Sequence, residues 1–167
     1  MNRRNLLVGL AAALAAGGAA LTLRPHRPAG ATETFEIEKT DAEWRRLLTP
    51  EQYAVLRQHG TEPPFASPLN AEHRPGIFAC AGCDLPLYDA SAKFDSGTGW
   101  PSFFQPLPNA IATSTDQSLF GVRTEVHCRR CGGHLGHVFD DGPPPTGLRY
   151  CMDGVALKFT VAPAAAS

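Results

Sequence analysis

The run Leu119-Phe120-Gly121-Val122-Arg123-Thr124-Glu125-Val126-His127-Cys128-Arg129-Arg130-Cys131 decides the fold. Val122, Thr124 and Val126 fall on one side and Arg123, Glu125 and His127 on the other, the period-two pattern of a strand with one buried face. The run is too short for a helix with a clean apolar stripe, and it ends in a C-x-x-C. Val155, Leu157, Phe159 and Val161 alternate in the same way near the end. From Gly76 onward the chain reads as strand and turn, and the predicted body is antiparallel β.

Upstream of that body the pattern is helical. Thr40-Asp41-Ala42-Glu43 is a capping box, a hydroxyl at the N-cap and a carboxylate three residues on, followed by Trp44, Leu47 and Leu48. Thr49-Pro50-Glu51-Gln52 repeats the signal with proline at the first helical position, and Tyr53, Val55 and Leu56 supply an apolar side. Two short helices are predicted, over 41–48 and 50–59, with Gly60 at the position after the second. Glu62 to Pro75 holds four prolines and reads as a loop over the surface.

Residues 1–31 carry Arg3, Arg4, Arg24 and Arg27, no acid, and an apolar run from Leu6 to Leu23. A basic start, an apolar stretch and the small-residue site Ala29-Gly30-Ala31 read as a cleaved secretory signal. Arg3-Arg4 before Asn5-Leu6-Leu7 resembles the twin-arginine export signal, which places the protein in a bacterial periplasm. The alternative is an uncleaved membrane anchor, for which 18 apolar residues are at the short limit. The full chain has 167 residues and a formal net charge of −1, and removing the leader takes away bases only, leaving an acidic domain. Nothing in that balance suggests nucleic acid as a partner. With 43% hydrophobic residues, 16 glycines and 15 prolines, the composition excludes a disordered polyelectrolyte, a coiled coil and a collagen-like rod.

Five cysteines need an explanation. Cys80-Ala81-Gly82-Cys83 and Cys128-Arg129-Arg130-Cys131 are two knuckles, each fed by a strand, with a small residue at or after the turn (Gly82, Gly132). Facing each other they make a tetrahedral sulfur site, suited to one structural Zn²⁺. Disulfides, which an exported protein favours, and a redox dithiol are the competing readings. The fifth cysteine, Cys151, is either a buried structural thiol or a nucleophile. Arg149 shares its strand face and could stabilise a thiolate, and His134 and His137 in a glycine-rich stretch could donate protons. Trp100, in the turn Ser96-Gly97-Thr98-Gly99-Trp100, could wall a small substrate group; alone, it fits a packed core better.

Three stretches carry a resemblance. Lys93 to Phe103 (KFDSGTGWPSF), His134 to Pro143 (HLGHVFDDGP) and Thr146 to Cys151 (TGLRYC) are similar to the signatures of the B-type peptide methionine sulfoxide reductases. Both C-x-x-C pairs fall where zinc-binding members have theirs, and the resemblance runs from about Thr40 to Phe159. It implies a mainly β fold of two antiparallel sheets with short N-terminal helices and a four-cysteine zinc knuckle pair. It implies reduction of methionine-R-sulfoxide, mainly in proteins, by Cys151 through a sulfenic acid. His134 and His137 would complete the catalytic set; Trp100, Phe139, Arg149 and Asp153 would contact substrate; Cys80, Cys83, Cys128 and Cys131 would hold zinc. The expected organisation is a leader (1–31), a linker (32–39), the reductase domain (40–162) and a frayed tail (163–167), acting as a monomer.

The sequence departs from the family pattern at two places. Many relatives have a resolving cysteine where Thr98 stands, so with four thiols on zinc the reset of Cys151 falls to a thioredoxin-like or small-thiol donor. Asp153 stands where the family usually has asparagine; ionised, it would repel a thiolate, and protonated, it could donate to the sulfoxide oxygen. A non-catalytic zinc-ribbon-like binding module and a zinc hydrolase are the rival functions.

Overall fold

The computed structural model describes residues 34–118 and 121–163. The expected leader and all but the first residue of the expected tail lie outside the described residues. Both capping boxes form. Thr40 Oγ1 accepts from Glu43 N–H at 3.3 Å while Glu43 Oε2 accepts from Thr40 N–H at 2.8 Å, opening α1 (Asp41–Leu47). Thr49 and Gln52 exchange the same bonds at 3.2 and 3.1 Å, opening α2 (Pro50–Gln58). Trp44 and Leu48 are buried as expected, whereas Leu47 points outward at 60% exposure. At the end of α2 the left-handed residue is His59 (φ 55), not Gly60. Gly60 follows and gives its N–H to Ala54 C=O at 2.9 Å, so close that a Cβ on it would lie 2.9 Å from that oxygen.

The strands are β1 (Gly76–Cys80), β2 (Pro86–Asp89), β3 (Lys93–Phe94), β4 (Ser102–Phe103), β5 (Ile111–Ser118), β6 (Gly121–Cys128), β7 (His134–Phe139), β8 (Arg149–Met152) and β9 (Leu157–Val161). They form two antiparallel sheets, ordered β2-β1-β9 and β3-β4-β8-β7-β6-β5. Phe78 and Tyr88 of the small sheet meet Phe103 of the large one, the Tyr88 and Phe103 rings stacking at 4.3 Å. The buried Tyr88 hydroxyl donates to Met152 Sδ at 3.1 Å, which satisfies a phenol that would otherwise be stranded in the core. Leu56, Leu87, Leu135 and Val126 fill the same core.

Two expectations are refined. In β6 the side expected to be buried is exposed at Val122 (74%), and the side expected to face water is buried at the other end, with Glu125 8% and His127 4% exposed, because this interior strand is covered on both faces only near the knuckles. The Glu62–Pro75 loop is a strap more than a surface loop. Glu62 carboxylate oxygens accept from Gly154 and Val155 N–H at 2.6 and 3.1 Å, and Phe65 N–H donates to Gly99 C=O at 2.7 Å. Residues 154–156 are accordingly a tight turn, and the last strand begins at Leu157. The segment expected as a linker also has anchors, Ile37 N–H donating to Arg130 C=O at 3.0 Å.

At Gly136 β7 and β8 approach too closely for a side chain. The φ of Gly136 is 145, and a Cβ there would lie 2.1 Å from Cys151 carbonyl oxygen. Gly136→Ala is expected to destabilise by about 3 kcal/mol in urea denaturation, combining backbone strain and overpacking. Gly147→Ala, at φ 70 with open space around it, is expected to lose only about 1 kcal/mol. Equal losses at the two positions would sink the steric account.

Candidate active site and metal centre

The two knuckles are built alike. β1 delivers Cys80 and β6 delivers Cys128. Asp84 N–H returns to Cys80 C=O at 2.9 Å, and Gly132 N–H to Cys128 C=O at 2.8 Å. The left-handed residues are Asp84 (φ 58) and Gly132 (φ 67), each just after the second cysteine. Gly82, expected to make the first turn, makes ordinary contacts there, and Asp84 takes the unusual conformation, which aspartate tolerates. The four sulfurs lie within 4.8 Å of one another, with Cys80–Cys131 at 3.8 Å and Cys83–Cys128 at 3.5 Å. A tetrahedral ion with bonds of about 2.3 Å has sulfur–sulfur edges of about 3.8 Å, whereas a disulfide has about 2.05 Å. All five cysteines are unbridged. The donors and their spacing fit one metal ion in a closed site.

Cys151 is placed by register. Across the large sheet Ser102 pairs with Cys151, Cys151 with His137, His137 with Glu125, and Glu125 with Ser114. Residues directly opposite on antiparallel strands share a face, so a polar row crosses the sheet with Cys151 within it. His134 and His137 are three apart, and strict alternation would put them on opposite faces. The alternation breaks at Gly136 and the register shifts between Val126 and His127, so the two rings meet at 5.4 Å between centroids.

Each imidazole is held by a carboxylate. His134 Nδ1 is 2.7 Å from Glu125 Oε1, and His137 Nε2 is 2.7 Å from Asp116 Oδ2, which Arg123 also binds at 2.7 Å. The His134 hydrogen bond keeps Glu125 far below the usual carboxylate range, and the His137 hydrogen bond lowers Asp116. Both acids are therefore ionised acceptors, and the ring nitrogens facing them carry the protons. Burial lowers His137, which favours the neutral ring.

Trp100, His137, Phe139, Cys151 and Asp153 line one pocket of about 130 Å³, together with Thr61 and Gly136. Two expected members stand behind it. His134 is 3% exposed and does not line the pocket; its Nε2 lies 4.0 Å from Asp153 Oδ2, which does. The Arg149 guanidinium is drawn away: it holds Asp141 through two bonds of 2.8 Å and lies 4.3 Å from the Phe139 ring centroid. Its charge still favours a Cys151 thiolate, but burial outweighs it and pushes the thiol up. Burial also raises Asp153, whose Oδ1 accepts from Thr61 hydroxyl at 2.7 Å and Glu62 N–H at 3.0 Å. The half-buried Trp100 donates its indole N–H to Glu62 C=O at 3.1 Å. Thr98 Oγ1 is 3.7 Å from Cys151 Sγ.

Sequence reasoning passed over Glu125, Asp116, Thr61 and Glu62. Arg123, Glu125 and His127 at spacing two were the available signal for the first; Thr61 and Glu62 lie in a proline-rich loop with no period to read.

Removing the metal with a strong chelator is expected to abolish cooperative thermal unfolding. Structural zinc contributes about 10–16 kcal/mol in small peptides, as much as the whole stability of about 5–15 kcal/mol of an ordinary domain. An unchanged melting curve after metal content has fallen to zero would refute a structural role.

The SelR domain family model matches residues 48–161. Peptide methionine sulfoxide reductase MsrB of Agrobacterium fabrum is 54% identical over 125 residues, covering 74% of this chain and 93% of that protein. The protein of the same name from Pseudomonas putida KT2440 is 56% identical over 123 residues (73% and 94% covered), and that from Leptospira interrogans 48% over 126 residues (75% and 96%). The match to the family model spans both cysteine knuckles, the polar row and the pocket, and the chain belongs to the SelR family of B-type peptide methionine sulfoxide reductases.

Proposed function

We propose that the chain reduces methionine-R-sulfoxide, chiefly in proteins, to methionine, with Cys151 as the nucleophile. The observation that carries this reading is a single thiol in a pocket walled by an indole and backed by two carboxylate-held imidazoles. The Cys151 sulfur attacks the sulfoxide sulfur, the substrate S–O bond breaks, and an S–O bond forms on Cys151. The cysteine sulfur is oxidised by two electrons, the substrate sulfur is reduced by two, and the thiol proton ends on the sulfenic oxygen. Burial keeps the resting group a thiol, so that proton must be moved during attack. With its Nε2–H on Asp116, His137 has Nδ1 free as a base, and His134 Nε2 with Asp153 supplies the second polar flank. Trp100 and Phe139 receive the methyl group. A methyl wall, an oxygen flank and a sulfur floor make a three-point site, which selects one epimer at a chiral sulfur. Family membership names it as R.

Zinc is the ion we assign to the four thiols. Its role is structural, because four thiolates fill the tetrahedron; a zinc hydrolase needs an open position. Thr98 brings a hydroxyl, not a thiol, to Cys151, and the other four cysteines form the metal cluster. The sulfenic acid is therefore reset by an external donor: two thiols give one disulfide, one water and the restored Cys151. A thioredoxin-like protein or a small thiol fits that part. The basic, apolar start of the chain supports export to the periplasm, with envelope proteins as substrates. Among the described residues no helix is long and apolar enough to cross a membrane.

Cys151→Ser is expected to keep fold and zinc and lose at least about 10³-fold in reductase activity. The wild type with dithiothreitol should consume the R epimer only. A zinc-ribbon-like binding module would show no turnover in either protein. After one turnover without reductant, mass spectrometry should find sulfenic acid on Cys151 and no intramolecular disulfide.

Asp153→Asn tests the electrostatics. Ionised Asp153 opposes a Cys151 thiolate, and protonated Asp153 does not. The ratio of variant to wild-type kcat/KM should be near one at acid pH and rise as the wild-type carboxyl ionises with increasing pH. A ratio far below one at every pH would mean that the carboxyl has a role the amide cannot fill.

A further inference from the structure

Beside the Cys151 pocket lies a second, larger hollow of about 290 Å³, lined by His59, Asp116, Glu125, His134 and His137 among others. Three of these gather their ligand atoms around one carboxylate oxygen. His59 Nδ1 is 3.1 Å and His134 Nδ1 2.7 Å from the same Glu125 Oε1, and the three ligand atoms all lie within 4.8 Å of one another. The other carboxylate oxygen, Oε2, accepts from Ser114 Oγ at 2.5 Å, so the carboxylate is clamped from behind. Glu125 and His134 are buried, with side chains 11% and 4% exposed, while His59 is 63% exposed at the end of α2. The set therefore has two rigid ligands from the sheet, one reachable ligand from the helix end, and an open outer side.

We propose that His59, Glu125 and His134 form a second metal site, for a divalent cation of the zinc class. Two imidazoles and one carboxylate with an open position for water are a ligand set that zinc takes readily. Ser114 supplies the outer hydrogen bond that metal-bound carboxylates require. The site differs in kind from the four-thiol centre, being open to solvent and made of nitrogen and oxygen. No bond is made or broken apart from proton shifts: each Nδ1 proton moves to Nε2 as the nitrogen binds the cation.

The test uses the enzyme with its four-thiol site loaded, titrated with Zn²⁺ without added thiol. The variants are Cys151→Ser, which removes the reactive thiol as a zinc ligand, and His59→Gly. Glycine suits the left-handed φ of 55 at residue 59 and has no ligand. Expected are two zinc ions per chain in wild type and Cys151→Ser, and one in His59→Gly. A His59→Gly protein that still takes the second ion, or a wild type that takes only one, overturns the site.

Discussion

Everything in the domain hangs on two chain reversals meeting at four sulfurs. Cys80 ends β1 of the small sheet and Cys128 ends β6 of the large one. The four-cysteine cluster therefore joins the two sheets across a long stretch of chain, and an ion held there would offset the loop-closure entropy that opposes the encounter. Leu56 and Trp44 of the helices pack beside Gly82, and Leu56 beside Gly133, so the knuckles also seat the N-terminal helices.

Once β6 is anchored, β7 and β8 follow by pairing, and the reactive thiol inherits its neighbours from register. A one-residue slip between β7 and β8 would turn Cys151 away from His137. Gly136 guards against that slip. Its backbone conformation and the carbonyl of Cys151 against it leave room for no side chain, and the same break in alternation lets both histidines face one way. The glycine thus acts at both levels, setting strand approach and assembling the site.

Much of this was legible in the sequence where one local rule suffices. Thr40 with Glu43 and Thr49 with Gln52 are complete motifs within four residues, and both helices begin where they say. The knuckles were legible because C-x-x-C constrains its own turn, though not the residue that turns: Asp84, not Gly82, is left-handed. What was not legible depends on cover from elsewhere. The period of β6 predicts one buried face, but the fold leaves Val122 exposed at the start of the strand and encloses both faces at its end, Glu125 and His127 included. Arg149 likewise shares a face with Cys151, yet Asp141, exposed on the preceding loop, offers it two hydrogen bonds that a thiol cannot match.

The burial that hides those partners also shapes the chemistry. The large sheet keeps Glu125 and Asp116 ionised by giving each an imidazole, while Cys151 and Asp153, with weaker partners, are pushed toward their neutral forms. Charge is thus held largely one layer behind the reacting atom, while the groups nearest it are biased toward their neutral forms. That suits a neutral sulfoxide, which must shed water to enter. It also suits a thiol without a resolving partner: a cysteine kept protonated until substrate arrives is a poor target for stray oxidants, which attack the thiolate. With Thr98 in place of a second thiol, that protection takes on weight, because any adventitious oxidation of Cys151 must wait for the same external donor that completes the catalytic cycle.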